Sequence, residues 1–95
     1  MKITSITNTV IPGAKLIQFD RFPDLRGYFS ETFRASDFVH HDLNIFPNGI
    51  LQTNESFSYK NVLRGLHFQW NPNMGKLVRT ISGHMVDLIL DLREG

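Results

Sequence analysis

Residues 84–92 read His84-Met85-Val86-Asp87-Leu88-Ile89-Leu90-Asp91-Leu92. The alternation sends Val86, Leu88, Leu90 and Leu92 to one side and Asp87 and Asp91 to the other, the period-two pattern of a β-strand with one apolar face. A helix would need apolar recurrences at three and four residues instead. Farther back along the chain, short runs of alternating or β-branched residues are broken by Gly, Pro, Asn and Asp. They predict strands at residues 2–6, 14–19, 27–33, 49–54, 62–69 and 76–82. One helical stretch is predicted, residues 36–43, where Ser36 can cap the amino end and Phe38, Val39 and Leu43 can share a buried side. The expected class is all-β with at most one short helix.

A chain of 95 residues allows one domain and a thin core. No repeat, low-complexity tract or linker divides it. Ten Lys and Arg against nine Asp and Glu leave a net charge of +1, which gives no electrostatic basis for a nucleic-acid-binding face. Cysteine is absent, so disulfides and thiolate metal sites are excluded, and a reducing compartment fits. The opening MKITSITNTVIPGAK lacks the charged-then-apolar pattern of a signal peptide, and no apolar run approaches membrane-spanning length. A cytoplasmic protein without a membrane partner is the expectation.

Residues 61–69, NVLRGLHFQ, place Arg64 and His67 three positions apart in an otherwise apolar run. A charge and a proton-transfer group in such surroundings need a reason. Lys76 lies in a second apolar run, and Arg26, Glu31, Gln52 and Asn54 stand in similar contexts upstream. Strand alternation puts Gln52 with Asn54 on one face, His67 with Gln69 on another, and Phe29, Glu31 and Phe33 together. Arg64 and His67 would face opposite sides of a regular strand, and Gly65 between them marks a place where a bulge can re-aim one of the two. In a sheet closed on itself these groups would line a cavity suited to an anionic, oxygen-rich small molecule.

Five blocks, DLRGYFSE at 24–31, QTNES at 52–56, residues 61–69, GKLVR at 75–79 and the stretch from Val86-Asp87-Leu88 to Arg93, resemble in order and spacing the amino-terminal part of the dTDP-4-dehydrorhamnose 3,5-epimerases. The resemblance covers nearly the whole chain. It implies a cupin-type jelly roll, a homodimer, no metal or organic cofactor, and a dTDP-hexose as substrate in the synthesis of activated deoxysugars for polysaccharides. It further implies that His67 is the catalytic base, that Arg64 and Lys76 contact the keto-sugar, and that Arg26, Phe29, Glu31, Gln52 and Asn54 hold the nucleotide-sugar. The family's opposing acid is a Tyr and its His-orienting residue an Asp, both beyond the last block. Residues 1–95 are thus expected to form one jelly-roll domain, a half-barrel or sandwich, without the family's carboxy-terminal part.

The chemistry suits those residue types. A keto group acidifies hydrogens on the neighbouring carbons, so a base must take one and cationic donors must stabilise the enolate. Histidine's intrinsic pKa fits the first task, and Lys and Arg fit the second. Each candidate also has a plainer reading. Arg26 can simply close a turn with Glu31 as its structural partner, Lys76 can be solvent-facing, and His40 and His41 suit a solvated surface. His67 with His84 lacks the His-x-His pair and nearby Glu of cupin metal sites, so no metal is expected. Three functions fit: an epimerase-family enzyme, active by itself or once another polypeptide supplies the carboxy-terminal half; a non-catalytic nucleotide-sugar-binding remnant; and a structural or interaction half-barrel that self-associates.

Overall fold

A computed structural model describes residues 1–44, 46–70 and 74–94. Its paired elements are β1 (Lys2–Asn8), β2 (Lys15–Asp20), β3 (Phe22–Asp24) and β4 (Gly27–Phe29), followed by the helix α1 (Ala35–His40). Both sheets are two-stranded and antiparallel, β1 with β2 and β3 with β4. The class is all-β with one short helix, as the sequence pattern predicts. No helix among the described residues is long and apolar enough to cross a membrane.

The β1–β2 hairpin keeps its apolar face by means of an irregularity. Ile3 pairs with Phe19, Ser5 with Gln18 and Ile6 with Ile17, and the register shifts between Ile3 and Ser5. Three residues apart on a regular strand, Ile3 and Ile6 would face opposite sides. The extra residue, Thr4, puts both on the side of Ile17 and Phe19, which alternate regularly on β2. The other face carries Gln18 and an exposed Leu16, and there the Ser5 hydroxyl donates to Gln18 Oε1 at 2.6 Å. At the loop end Thr9 Oγ1 accepts from the Ile11 N–H at 3.2 Å, and Lys15 Nζ donates to Asn8 Oδ1 at 2.6 Å.

Helix α1 is set by its carboxyl end. Arg34 occupies the N-cap position with extended backbone and no side-chain cap bond, so Ser36 lies inside the helix and does not cap it. At the other end Asp42 adopts φ +57°. Its N–H donates to Val39 O at 3.1 Å, and the Leu43 N–H reaches back to Phe38 O at 2.8 Å. That pair of bonds is the Schellman closure, which brings an apolar residue just past the end against one three positions before it. Here those residues are Phe38 and Leu43, 4% and 6% exposed, the only buried apolar side chains among the described residues. Phe33 packs edge-on to Phe38 at 4.9 Å and to Phe46 at 6.2 Å. Val39, expected on the buried side, is 80% exposed, because the closure turns the Phe38 face inward.

The Met1 ammonium ties sheet to helix, donating to Asp37 Oδ2 at 2.6 Å and Glu31 Oε2 at 2.8 Å. Asp37 sits in the first turn of α1, where the helix dipole also favours a carboxylate.

Beyond α1 the structure departs from the sequence reading. The runs 49–54, 62–69, 76–82 and 84–92 carry no strand pairing, and their apolar side chains face solvent, Leu88 at 70% exposure. The predicted strand 27–33 is paired only over β4, and β3 was not foreseen because Pro23 reads as a breaker. The physical reason is partnership: alternation prepares one face for burial, but a strand also needs a neighbouring backbone, and these four runs meet none among the described residues. The accessible surface is 9220 Å² for 11.0 kDa. A compact monomer of that mass would expose about 5,600 Å².

Two predictions follow from this packing. Phe38→Ala should cost about 3–5 kcal/mol, most of a small domain's stability. Asp42→Gly, by relieving positive φ, should raise the thermal midpoint instead. Calorimetric melting of both variants checks the opposed signs.

Stability should also follow pH through the amino-terminal anchor. The hydrogen bond to Asp37 is the chief cause holding the Met1 ammonium above its ordinary 8.0, and the same bond is the chief cause holding Asp37 below its ordinary 3.8. A raised amine stabilises fully below pH 8 and loses that contribution as pH climbs through its folded value. A lowered carboxyl stabilises fully above pH 4 and loses it as pH falls through its folded value. Melting temperature against pH should therefore plateau between roughly 4 and 8, and Asp37→Asn should flatten both limbs.

Candidate functional site

The β3–β4 hairpin carries an open cleft that brings two of the candidates, Arg26 and Phe29, together. Asp24 pairs with Gly27 across a two-residue connection, Leu25-Arg26, and Gly27 takes φ +138°, a conformation that side chains disfavour. Asp24 Oδ1 accepts from the Arg26 backbone N–H at 2.8 Å, the Asx turn expected of an aspartate at this place. The carboxylate's other oxygen accepts from Arg26 Nε at 3.2 Å and Nη2 at 2.6 Å. The side-chain hydrogen bond from Arg26 is the main reason Asp24 is held below the usual carboxylate range.

Pairing directs the aromatic residues to two sides of the same ribbon. Phe22 opposes Phe29, with ring centroids 6.5 Å apart, and Lys2 Nζ lies 5.9 Å from the Phe22 centroid. Tyr28 opposes Pro23 and carries the Arg21 guanidinium over its ring at 4.2 Å. Asp24, Arg26, Tyr28 and Phe29 line an open cleft of about 260 Å³. Such a cleft offers N–H donors beside aromatic surface, a combination that suits a phosphate attached to a planar ring.

The remaining candidates form separate local groups. Glu31 is engaged by the Met1 ammonium and lies 3.8 Å from Arg34, while Arg26 is partnered by Asp24. Gln52 Nε2 donates to Asn54 Oδ1 at 3.0 Å, so these two share one side. Arg64 Nη2 donates to the Phe57 carbonyl at 2.7 Å, which folds the guanidinium back over the turn at Tyr59–Val62. Gly65 takes φ +103°, and a Cβ built there would lie 3.6 Å from the His67 backbone nitrogen and 3.9 Å from its Nδ1. The imidazole therefore sits beside Gly65. No hydrogen bond or ion pair among the described residues joins Arg64, His67 and Lys76 to one another. Nor does any group of three His, Cys, Asp or Glu among them converge as a metal site.

The sequence reading missed Asp24 and Tyr28 as lining residues, and it missed a second copy of the Asp24 arrangement. Asp-Leu-Arg occurs twice, at 24–26 and 91–93. Asp91 Oδ1 accepts from the Arg93 backbone N–H and Nε, both at 3.0 Å, and Oδ2 accepts from Nη2 at 3.0 Å. Its carboxyl is lowered to about 2, chiefly by the side-chain bond from Arg93. Arg93 Nη2 also donates to the Pro12 carbonyl at 2.6 Å. The repeated tripeptide was the available signal, since an aspartate two residues before an arginine can hold both its backbone and its side chain.

The fold is all-β with one short helix, its β3–β4 hairpin carries an open cleft, and comparison with known proteins narrows the class. A family model described as dTDP-4-dehydrorhamnose 3,5-epimerase matches residues 8–95. The chain belongs to that family. It is 44% identical over 90 residues to a dTDP-4-dehydrorhamnose 3,5-epimerase of Neisseria gonorrhoeae, covering 95% of this chain and 26% of the relative. A protein of the same name from Methanothermobacter thermautotrophicus is 44% identical over 86 residues, 90% of this chain and 45% of the relative. One from Escherichia coli is 39% identical over 90 residues, 94% and 48%. The chain thus spans about half or less of the length of these relatives. No solved structure matches it.

A substitution at Gly65 tests the local geometry. Gly65→Ala meets only ordinary contact distances, so its cost comes from the positive φ. Because the segment is unpaired, relaxation there should shift the His67 ring resonances while the β1–β2 amide signals stay in place in NMR spectra.

Proposed function

We propose that this chain acts on a dTDP-4-keto-6-deoxyhexose as the base-bearing part of a 3,5-epimerase. The observation that carries the reading is the family match, which spans every candidate residue from Arg26 to Lys76. In this reading Arg26, Phe29, Glu31, Gln52 and Asn54 hold the nucleotide-sugar. His67 removes the proton from a carbon beside the keto group, the C–H electron pair passes into the enolate, and Arg64 and Lys76 donate to the enolate oxygen. Inversion then requires a proton from the opposite face. Neither tyrosine among the described residues is read as that acid: Tyr28 lines the β3–β4 cleft, and Tyr59 packs edge-on to Phe57 at 5.2 Å. The reaction needs no metal or organic cofactor, and the cytoplasm is its compartment.

A second reading, self-association as a half-barrel dimer, is favoured by one observation: the surface exceeds a compact monomer's by about 3,600 Å², more than the roughly 800 Å² one partner gives up in a standard interface. It is compatible with the first, since a homodimer would cover apolar residues while leaving the β3–β4 cleft to ligand.

Incubation with the keto-sugar in deuterium oxide separates catalysis from binding. Deuterium should enter the sugar beside the keto group with little change in stereochemistry, and His67→Ala should abolish that incorporation. Calorimetry should show dTDP bound in preference to free hexose. Binding without exchange would leave a nucleotide-sugar-binding protein, and neither binding nor exchange would leave self-association, read by sedimentation, as its role.

A further inference from the structure

We propose that Asp24 is a positioning residue which aims the Arg26 guanidinium at a phosphate of the bound nucleotide, presenting it with one edge already occupied. The inference rests on the reading of Arg26 as a nucleotide-binding residue and adds the mode of contact. A guanidinium has five N–H donors. Asp24 takes Nε–H and one Nη2–H, which leaves the second Nη2–H and both on Nη1, the end of the fork farthest from the backbone. The ligand oxygens must therefore approach end-on.

The molecule contains an internal precedent for that geometry. Asp91 grips Arg93 through the same three nitrogens, the backbone N–H, Nε and Nη2, with Nε on Oδ1 where Asp24 uses Oδ2, and the clamped guanidinium donates from Nη2 to the Pro12 carbonyl oxygen at 2.6 Å. Arg26, held in the same way, has no second acceptor among the described residues and is 91% exposed at the mouth of the cleft. A phosphate oxygen takes at Arg26 the place that the Pro12 carbonyl takes at Arg93. Stability does not account for the pair, since an ion pair this exposed contributes little to folding. What the clamp changes is the freedom of a long side chain that would otherwise be ordered only when ligand arrives. It also neutralises the local charge, so that recognition relies on directed N–H groups more than on a net positive field.

Asp24→Asn separates the two duties, because its amide oxygen can still accept the Arg26 backbone N–H while the charge that holds the guanidinium is gone. Calorimetric titration of the full chain with dTDP should show affinity lower by about three- to tenfold, with an unchanged melting temperature and a steeper loss of binding as salt is raised. In an Arg26→Ala background the same substitution should have no effect. Arg26→Lys, which keeps the charge but cannot be gripped along an edge, should weaken binding as Asp24→Asn does, and it serves if Asp24→Asn fails to fold. Wild-type affinity and salt dependence in Asp24→Asn, or full affinity in Arg26→Lys, would overturn the inference while leaving Arg26 in the site. An equal loss in the Arg26→Ala background would show that Asp24 does not act through Arg26. Failure of the wild-type chain to bind dTDP would overturn the nucleotide reading itself, and this inference with it.

Discussion

An unpaired strand leaves its backbone N–H and C=O groups to water, and among the described residues only 2–8, 15–20, 22–24 and 27–29 escape that condition by pairing with a neighbour strand. The rest of the structure follows from where the two ladders stop. The β1–β2 hairpin supplies a half-buried apolar face and holds the Met1 ammonium where Glu31 and Asp37 can reach it. That contact and the Phe38–Leu43 closure give the amino-terminal part its order. Past residue 46 the sequence still alternates, but without a neighbouring backbone its apolar side chains remain in solvent.

The two clamped arginines show how much can be done by local chemistry when tertiary packing is sparse. Neither Asp24–Arg26 nor Asp91–Arg93 depends on a distant element for its own geometry; each is closed within three residues. One then reaches across 81 positions to a backbone carbonyl, and the other stands at a cleft with aromatic walls. Arg64 follows a different route, folding back on the Phe57 carbonyl. Arg26 and Arg64 are thus set by short-range contacts, and among the described residues they stand in separate local groups.

What could be read from the sequence divides along the same line. Period-two patterning located β1 and β2 to within two residues at each end, because both partners lie within twenty residues of each other. It could not show the extra residue at Thr4, since a register shift appears only when both strands are laid side by side. The helix was legible from Phe38 and Leu43, yet the reason they are buried is the backbone turn at Asp42 and not the cap expected at Ser36. Of the candidate site, residue types and family motifs were readable throughout. The grip of Asp24 on Arg26 was readable in principle from an Asx pattern. The mutual placement of Arg64, His67 and Lys76 was not, because strand alternation carries no information about which neighbour a strand will find.

The amino-terminal anchor also orders assembly in time. The β1–β2 turn closes a loop of six residues, from Thr9 to Ala14, and hairpins of that size form within about 1–10 μs. Joining Met1 to Asp37 closes a span of 36 residues, which costs more chain entropy and yields contacts only once the helix has turned its first-turn carboxylate toward the sheet. The ammonium is therefore a late contact, made between two pieces that already exist. A chain emerging with its first residue first holds one half of that ion pair from the beginning and waits 36 residues for the other.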